Sequence, residues 1–401
     1  MSSARPLGLF EGFGIELEYM IVDRCSLAVL PISDKVLEEA GGELIGEVEM
    51  GALSWSNELV LHVIELKTNG PAPKLAGLAE SFAADVRRIN ALLEPLGGRL
   101  MPGAMHPWMD PVREMRLWPH DNGPIYQAYD RIFGCRGHGW ANLQSMHINL
   151  PFSGDAEFAR LHSAIRLVLP LLPALAASSP VMDGRTTGLL DNRLEVYRHN
   201  QRRIPSIAAQ VIPELVFSRA EYEERILRPM YRDIAAHDPQ GVLQCEWLNS
   251  RGAIARFERD TIEIRVLDVQ ECPRADLAVA DLVVAVLRAL TDERWSSLAE
   301  QQRWPVPPLE RILLATIRQG EDAVIDDRDY LELFGFAGGS CRAGELWRRL
   351  AEAVLPPESE HRPALEIIFE KGTLARRLLA ALGTEPGTER LREIYGRLCY
   401  C

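Results

Sequence analysis

The chain has 401 residues, 47% of them hydrophobic and 25% charged, with a formal net charge of −13. That length holds one large or two moderate domains with a sizeable core, and the acidic balance argues against nucleic acid as a partner. Seven cysteines, at 25, 135, 245, 272, 341, 399 and 401, are odd in number and form no C-x-x-C pair, which favours reduced thiols in a cytoplasm over a disulfide framework.

Met1 to Pro6 is not followed by a signal-like apolar run. Phe13 to Asp23 reads as a strand, and residues 34–40 as a helix stopped by Gly41-Gly42. Ser56 to Thr68 reads as a second strand, ended by Asn69-Gly70-Pro71. Residues 74–95 have the spacing of an amphipathic helix, Ile125 to Phe133 looks helical, and Leu143 to Leu150 alternates like a strand. Between them, His106-Pro107-Trp108 marks a loop or strand end. The longest apolar stretch, Leu167 to Ala177, holds two prolines and is too short to span a bilayer, so the helix over 156–177 is expected to break near Pro170. Loop follows at 178–180 and 183–185, then an arginine- and asparagine-rich stretch from Arg193 to Arg203. A helix over 220–236, short strands at 246–249 and 254–258, a clear strand at 261–268 and a helix over 275–290 complete the mixed part. After Trp304-Pro305-Val306-Pro307-Pro308 the pattern is helical, over 309–319, 344–355, 363–382 and 388–398. Cys399 and Cys401 read as a frayed terminus. The order favours an α+β fold, with residues 1–300 as the main domain and 301–401 as a helical C-terminal layer packed on it.

Carboxylates recur on the strands. Glu16 and Glu18 share a strand face, roughly 7 Å apart, while Ile15, Leu17 and Tyr19 face a core. Two such acids repel and resist burial, which leaves either a solvated edge or a cation between them. Glu58 and Glu65 are an odd number of positions apart, so one site would need a bulge or a strand that begins later. Thr261, Glu263 and Arg265 share a face, as do His147 and Asn149. An oxygen-only set suits Mg²⁺ or Mn²⁺ rather than zinc. Arg185, Arg193, Arg198, Arg202 and Arg203 concentrate positive charge suited to phosphate or carboxylate, although each taken alone reads more readily as a solvated loop residue in a salt bridge. No P-loop, dinucleotide fingerprint or G-x-S-x-G elbow is present.

In this order, Gly14-Ile-Glu-Leu-Glu18, Glu58-Leu59 with Val63-Ile-Glu65-Leu-Lys-Thr68, Gly103-Ala-Met-His106-Pro107-Trp108, Met146-His147-Ile-Asn149, Ala177 to Gly188 with Arg193, and Ile262-Glu263-Ile-Arg265-Val-Leu-Asp268 resemble the glutamate–cysteine ligase type 2 family of carboxylate–amine ligases. The resemblance implies a glutamine-synthetase-like antiparallel sheet whose concave face is the active site, with helices on the other face. It implies ATP and Mg²⁺, or Mn²⁺, as cofactors, and small-molecule carboxylate and amine substrates joined through an acyl phosphate. It assigns Glu16, Glu18, Glu58 and Glu65 to metal, and Glu263, Arg265 and Arg193 to catalysis. His106, His147, Asn149, Arg185 and Thr68 would line the ATP and substrate pocket. Ser145 stands where family members often have a histidine, and residues 198–206 and 319–327 depart from the usual pattern, so the ligase chemistry is implied further than its substrates. A phosphotransferase of the same fold and an inactive nucleotide-binding homologue remain as alternatives, and a homodimer is left open.

Overall fold

Strand β1, Gly14–Asp23, lies at the middle of the sheet. The computed structural model describes residues 5–383 and 386–400; Cys401 lies outside them. The other strands of this sheet are β2 (Glu47–Glu49), β3 (Leu53–Asn57), β4 (Val63–Thr68), β5 (Gly98–Met101), β6 (Ser145–Pro151), β9 (Ala253–Arg256) and β10 (Thr261–Asp268), with two small separate strand pairs, β7 (Val181–Met182) with β8 (Arg185–Thr186) and β11 (Val324–Ile325) with β12 (Cys341–Arg342). The sheet runs β2-β3-β4-β1-β6-β10-β9, antiparallel throughout. β6 pairs the first half of β1 and β5 its second half.

Period-two alternation gives the sheet two unlike faces. Ile15, Leu17 and Tyr19 are buried with Ile64, Leu66, Met146, Ile148, Ile262 and Ile264. The helix Pro273–Thr291 buries Leu277, Leu282, Val283, Val286 and Leu290, and packs against the helices Leu78–Leu93 and Gly154–Val168. The helices Ala343–Val354 and Arg362–Lys371 lie against it in turn. The architecture is therefore α+β: one antiparallel sheet with a charged face, helices behind it, and further helices after residue 305.

The helix predicted over 156–177 does break. It runs Gly154–Val168, tightens to a 3₁₀ turn at Leu169–Leu171 and resumes at Pro173–Ala176. Prolines 170 and 173 supply no N–H, so carbonyls at the break need other donors. Later side chains provide them: Tyr330 Oη donates to Leu167 O at 2.6 Å, Thr316 Oγ1 to Pro170 O at 2.6 Å, and Trp347 Nε1 to Leu171 O at 2.8 Å. The break in one helix thus anchors the C-terminal layer.

Several expectations are corrected. The strand read over 56–68 is two strands, β3 and β4, joined by a turn at 58–62. Residues 246–249 form a 3₁₀ turn at Glu246–Leu248 rather than a strand. The helix over 363–382 is two helices, ending at Lys371 and restarting at Leu374, because Gly372 sits at φ 84° and the Thr373 side chain caps the second by accepting from Arg376 N. The helix over 220–236 passes through a π turn at Glu223–Leu227, next to Pro229, whose ring would crowd a regular α turn.

Candidate active site

Residues directly opposite in an antiparallel pair share a face, so register alone assembles the polar cluster. Glu18 lies opposite Glu65, Glu16 opposite both Lys67 and His147, and Asn149 opposite both Gly14 and Glu263. Ser56 lies opposite Glu65 from the other side. Gly14 permits the approach of β6, because a Cβ there would stand 2.9 Å from Asn149 Cβ.

Hydrogen bonds link the row. His147 Nδ1 donates to Glu16 Oε2 at 2.7 Å, and Asn149 Nδ2 donates to Glu16 Oε1 at 2.9 Å. His147 Nε2 meets Ser145 Oγ at 2.9 Å, and that hydroxyl donates to Glu18 Oε2 at 2.9 Å. The Ser145 backbone N–H also donates to Glu18 Oε2, at 2.6 Å. Both imidazole nitrogens thus face acceptors, the pattern of a protonated ring. Burial opposes that charge, but the Glu16 hydrogen bond and the charges of Glu16, Glu18 and Glu263 raise His147 to about 9. Burial likewise opposes the Glu16 charge, and His147 with Lys67 holds it down at about 2.

The opposite pattern holds at the next two acids. Burial and the Glu16 charge push Glu65 up to about 7, although Ser56 Oγ donates to it at 2.7 Å and Lys67 Nζ lies 3.4 Å away. Burial, then Glu18 and Glu65, push half-buried Glu58 well above the usual carboxylate range. The face carries more acid than its own cations neutralise. Ligand atoms of Glu16, His147 and Glu263 lie within 4.8 Å of one another, and so do those of Glu18, Glu65 and His147. With His147 protonated, the donors these clusters offer a cation are the carboxylate oxygens of Glu16, Glu18, Glu65 and Glu263, a set that suits a hard divalent cation.

Arginines wall the cleft. Glu263 pairs with Arg265 at 3.0 Å and Arg256 at 3.2 Å. Burial opposes the charge on Arg265, and Glu263 more than restores it. Arg193, itself buried, donates through Nε to Asp268 Oδ1. Asp268 Oδ2 accepts from Ser178 N and Ser179 Oγ, both at 2.8 Å. Asp268 belongs to this face because β10 carries a bulge: Ile264 pairs Ile148, yet Leu267 pairs Met146 and Asp268 pairs Ser145. Strict alternation would have put it with the core. Nearby Asp191 is pushed up by burial and by the Asp268 charge.

Two cavities flank the row. The larger, about 520 Å³, is lined by Glu18, Glu58, His147, Arg193 and Arg265, with aromatic walls from Tyr126, Trp140 and Tyr197. The smaller, about 360 Å³, is lined by Glu16, Lys67, Thr68 and Asn149 and by the chain at Gly12, Gly14 and Gly70. Glu65 and Glu263 lie buried in the sheet face between them. Glu58 and Glu65 do converge, because β4 begins only at Val63 and strict alternation never spans the pair.

Two expected pocket residues fall elsewhere. His106 is fully buried and lines neither cavity; its Nε2 donates to Leu27 O at 2.7 Å and its Nδ1 accepts from Trp108 N at 3.2 Å. Arg185 is exposed on the β7–β8 hairpin, away from both cavities. Of the other clustered arginines, Arg198 pairs with Glu195 at 3.2 Å, Arg203 donates to Ile132 O at 2.7 Å and Arg202 is exposed. Lys67 and Asp268 stood in the motifs without a role, Ser145 stood only as a departure from the family pattern, and Arg256 lay outside the motifs in the strand read over 254–258; cross-strand register, which one sequence does not display, is what brings them in.

The model of glutamate–cysteine ligase family 2 matches residues 12–397. A protein of Archaeoglobus fulgidus named "Uncharacterized protein" is 34% identical over 366 residues, 91% of this chain and 92% of its own length. "Putative glutamate--cysteine ligase 2-3" of Rubrobacter xylanophilus is 27% identical over 293 residues, 73% of each chain. Among solved structures, the glutamate–cysteine ligase of Francisella tularensis in complex with AMP is similar at TM-score 0.58 and 14% identity, over 99% of this chain and 90% of that one. A bifunctional glutathione synthetase of Pasteurella multocida is similar at TM-score 0.58 and 13% identity, over 97% of this chain and 52% of that one. At those identities the likeness is one of fold.

Proposed function

The chain belongs to glutamate–cysteine ligase family 2, and from that premise we propose that it is an ATP- and Mg²⁺-dependent carboxylate–amine ligase. The observation that carries the reading is the row of carboxylates centred on His147 and lying between two cavities. The smaller cavity, with Lys67, Thr68 and glycine backbone, takes the ATP polyphosphate; the larger, with Arg193, Arg265 and aromatic walls, takes the carboxylate and amine substrates. Residues 1–300 form the catalytic unit and 301–401 a helical layer packed on it. Action on small molecules in the cytoplasm belongs to the same proposal.

In the first step a carboxylate oxygen of the donor attacks the γ-phosphorus, the bond to the β-phosphate oxygen breaks, and ADP leaves with the electron pair. The amine nitrogen then attacks the acyl carbon, the C–O bond to phosphate breaks, and the amine proton passes to solvent. Both steps bring anions together, so positioning and charge stabilisation supply the catalysis. Mg²⁺ held by Glu16, Glu18, Glu65 and Glu263, with Glu58 at the rim, would neutralise the polyphosphate and polarise the transferred group. Arg265, fixed by Glu263, and Arg193, fixed by Asp268, orient the donor carboxylate and bind developing phosphate charge. His147 holds Glu16 directly and Glu18 through Ser145, and Asn149 fixes the second oxygen of Glu16.

The test is ADP and phosphate release with Mg-ATP across amino acids singly and in pairs, for wild type and Glu16→Gln. Release that needs one acid and one amine together and is lost in the variant supports the ligase. ADP release with the phosphate retained on the acceptor would replace it with a phosphotransferase, and nucleotide binding without release on any pair would count against turnover.

A further inference from the structure

We propose that Arg259 is a further catalytic residue, one that spans the two cavities and contacts the phosphoryl group as it passes between nucleotide and donor carboxylate; the inference rests on the ligase reading above. Among the described residues Arg259 alone lines both cavities. It sits in the tight connection between β9 and β10, whose backbone is fixed from three sides. Arg259 N donates to Arg256 O at 3.0 Å, Phe152 N at the end of β6 donates to Asp260 O at 2.9 Å, and Phe257 N donates to Glu246 Oε1 at 3.2 Å. Asp260 completes the turn at φ 50°.

The side chain contrasts with its anchored backbone. Arg193, Arg256 and Arg265 line the same cleft and are each held by a carboxylate. Arg259 is exposed and its guanidinium has no ion pair or hydrogen-bond partner among the described residues. Beside a face dominated by Glu16, Glu18, Glu65 and Glu263, an unneutralised guanidinium carried on an anchored backbone and lining both cavities is placed to meet an anion arriving between them. The group that must be at the junction during the first step is the γ-phosphoryl, whose oxygens carry charge while one P–O bond forms and the other breaks. A planar fork of N–H donors matches those oxygens. Glu16 and Asn149 on one side and Glu18 and His147 on the other leave the transfer region beneath Arg259 without another free cation among the described residues.

The experiment compares wild type, Arg259→Ala and Arg259→Lys in two assays. With Mg-ATP and the substrate pair that supports release, kcat is expected to fall roughly 10²–10³-fold in Arg259→Ala, the usual loss of one transition-state donor, with KM for ATP changed less than about threefold. Arg259→Lys, which keeps charge without the fork, is expected to recover part of that loss. Calorimetry with Mg-ADP and with Mg-ADP plus aluminium fluoride, a mimic of the phosphoryl in flight, is the second readout: the alanine variant should weaken only the fluoride complex. Equal weakening of both complexes, or unchanged kcat, would overturn the role of Arg259 and leave the ligase reading standing. Absence of any nucleotide binding by wild type would overturn both.

Discussion

Arg193 and Asp268 form a buried charge pair whose worth lies in what its loss would leave behind. Removing one partner strands an uncompensated buried charge, which costs roughly 3–5 kcal/mol. Asp268→Ala is therefore expected to lower unfolding stability by that amount in urea denaturation, and Asp268→Asn by less, since the amide oxygen still accepts from Arg193. A loss under about 1 kcal/mol for the alanine variant would show that Arg193 finds another anchor. The pairing also marks where residue-level reading stops. Glu263 and Arg265 follow from alternation, but the β10 bulge resets the pleat and brings Asp268 to the acidic face. His106 illustrates the converse: its motif is legible, yet an imidazole that donates to Leu27 O and accepts from Trp108 N is satisfied as a neutral core group.

At the scale of elements, the contact between β1 and β6 decides whether the carboxylate row exists. Gly14 leaves no Cβ where Asn149 stands, and Gly14→Ala would press 2.9 Å against Asn149 Cβ. Overpacking of this kind costs roughly 1–3 kcal/mol. The expected result is a lower thermal midpoint together with weaker Mg²⁺ binding, because Asn149 and His147 move away from Glu16 as a unit. A variant with normal Mg²⁺ affinity would detach the metal site from this strand pair. β1 was legible because apolar Ile15, Leu17 and Tyr19 alternate with Glu16 and Glu18, and Pro273–Thr291 because its long apolar run has no internal proline or glycine, as suits a helix buried over most of its surface. The turn at 58–62 was not, because Leu59, Val60 and Leu61 keep the apolar content of a strand, while Leu59 O accepts from Trp118 N and Leu61 N donates to Arg116 O instead of continuing the ladder.

For the whole molecule, two conditions should move stability. Carboxylates crowded on one face are a cost that a divalent cation offsets, so Mg²⁺ or Mn²⁺ is expected to raise the thermal midpoint, the native state gaining on the order of 2–3 kcal/mol of stability at a hundredfold excess over Kd. Glu58→Gln should leave the metal-free protein as stable as wild type or more so, since burial and two neighbouring carboxylates already favour the neutral form that the amide mimics. Acid should act through different groups. Burial lowers both His62 and His106 to about 4, below the 6.5 of an unfolded chain. The unfolded state therefore binds more protons as pH falls through 6.5, and stability is lost between about 6.5 and 4, by on the order of 3 kcal/mol for each ring. Urea midpoints from pH 7 to 4 should show the slope, and His106→Gln should flatten it even though it starts less stable. Among the described residues no helix is long and apolar enough to cross a membrane, as the sequence implied. The C-terminal layer was predicted as helices, but not its anchorage through Tyr330, Thr316 and Trp347, because carbonyls left over at a proline break have no signature in the sequence of the helices that satisfy them.

The measurement that bears most directly on the central claim is isotope transfer. With the substrate pair that supports turnover, the donor carboxylate is labelled with ¹⁸O and the released phosphate is analysed by mass. A ligase working through an acyl phosphate must move one carboxylate oxygen into phosphate in every turnover, in wild type and, more slowly, in Arg259→Ala. Phosphate free of label while ADP accumulates would mean that water or the amine receives the phosphoryl group, and would contradict the proposed chemistry.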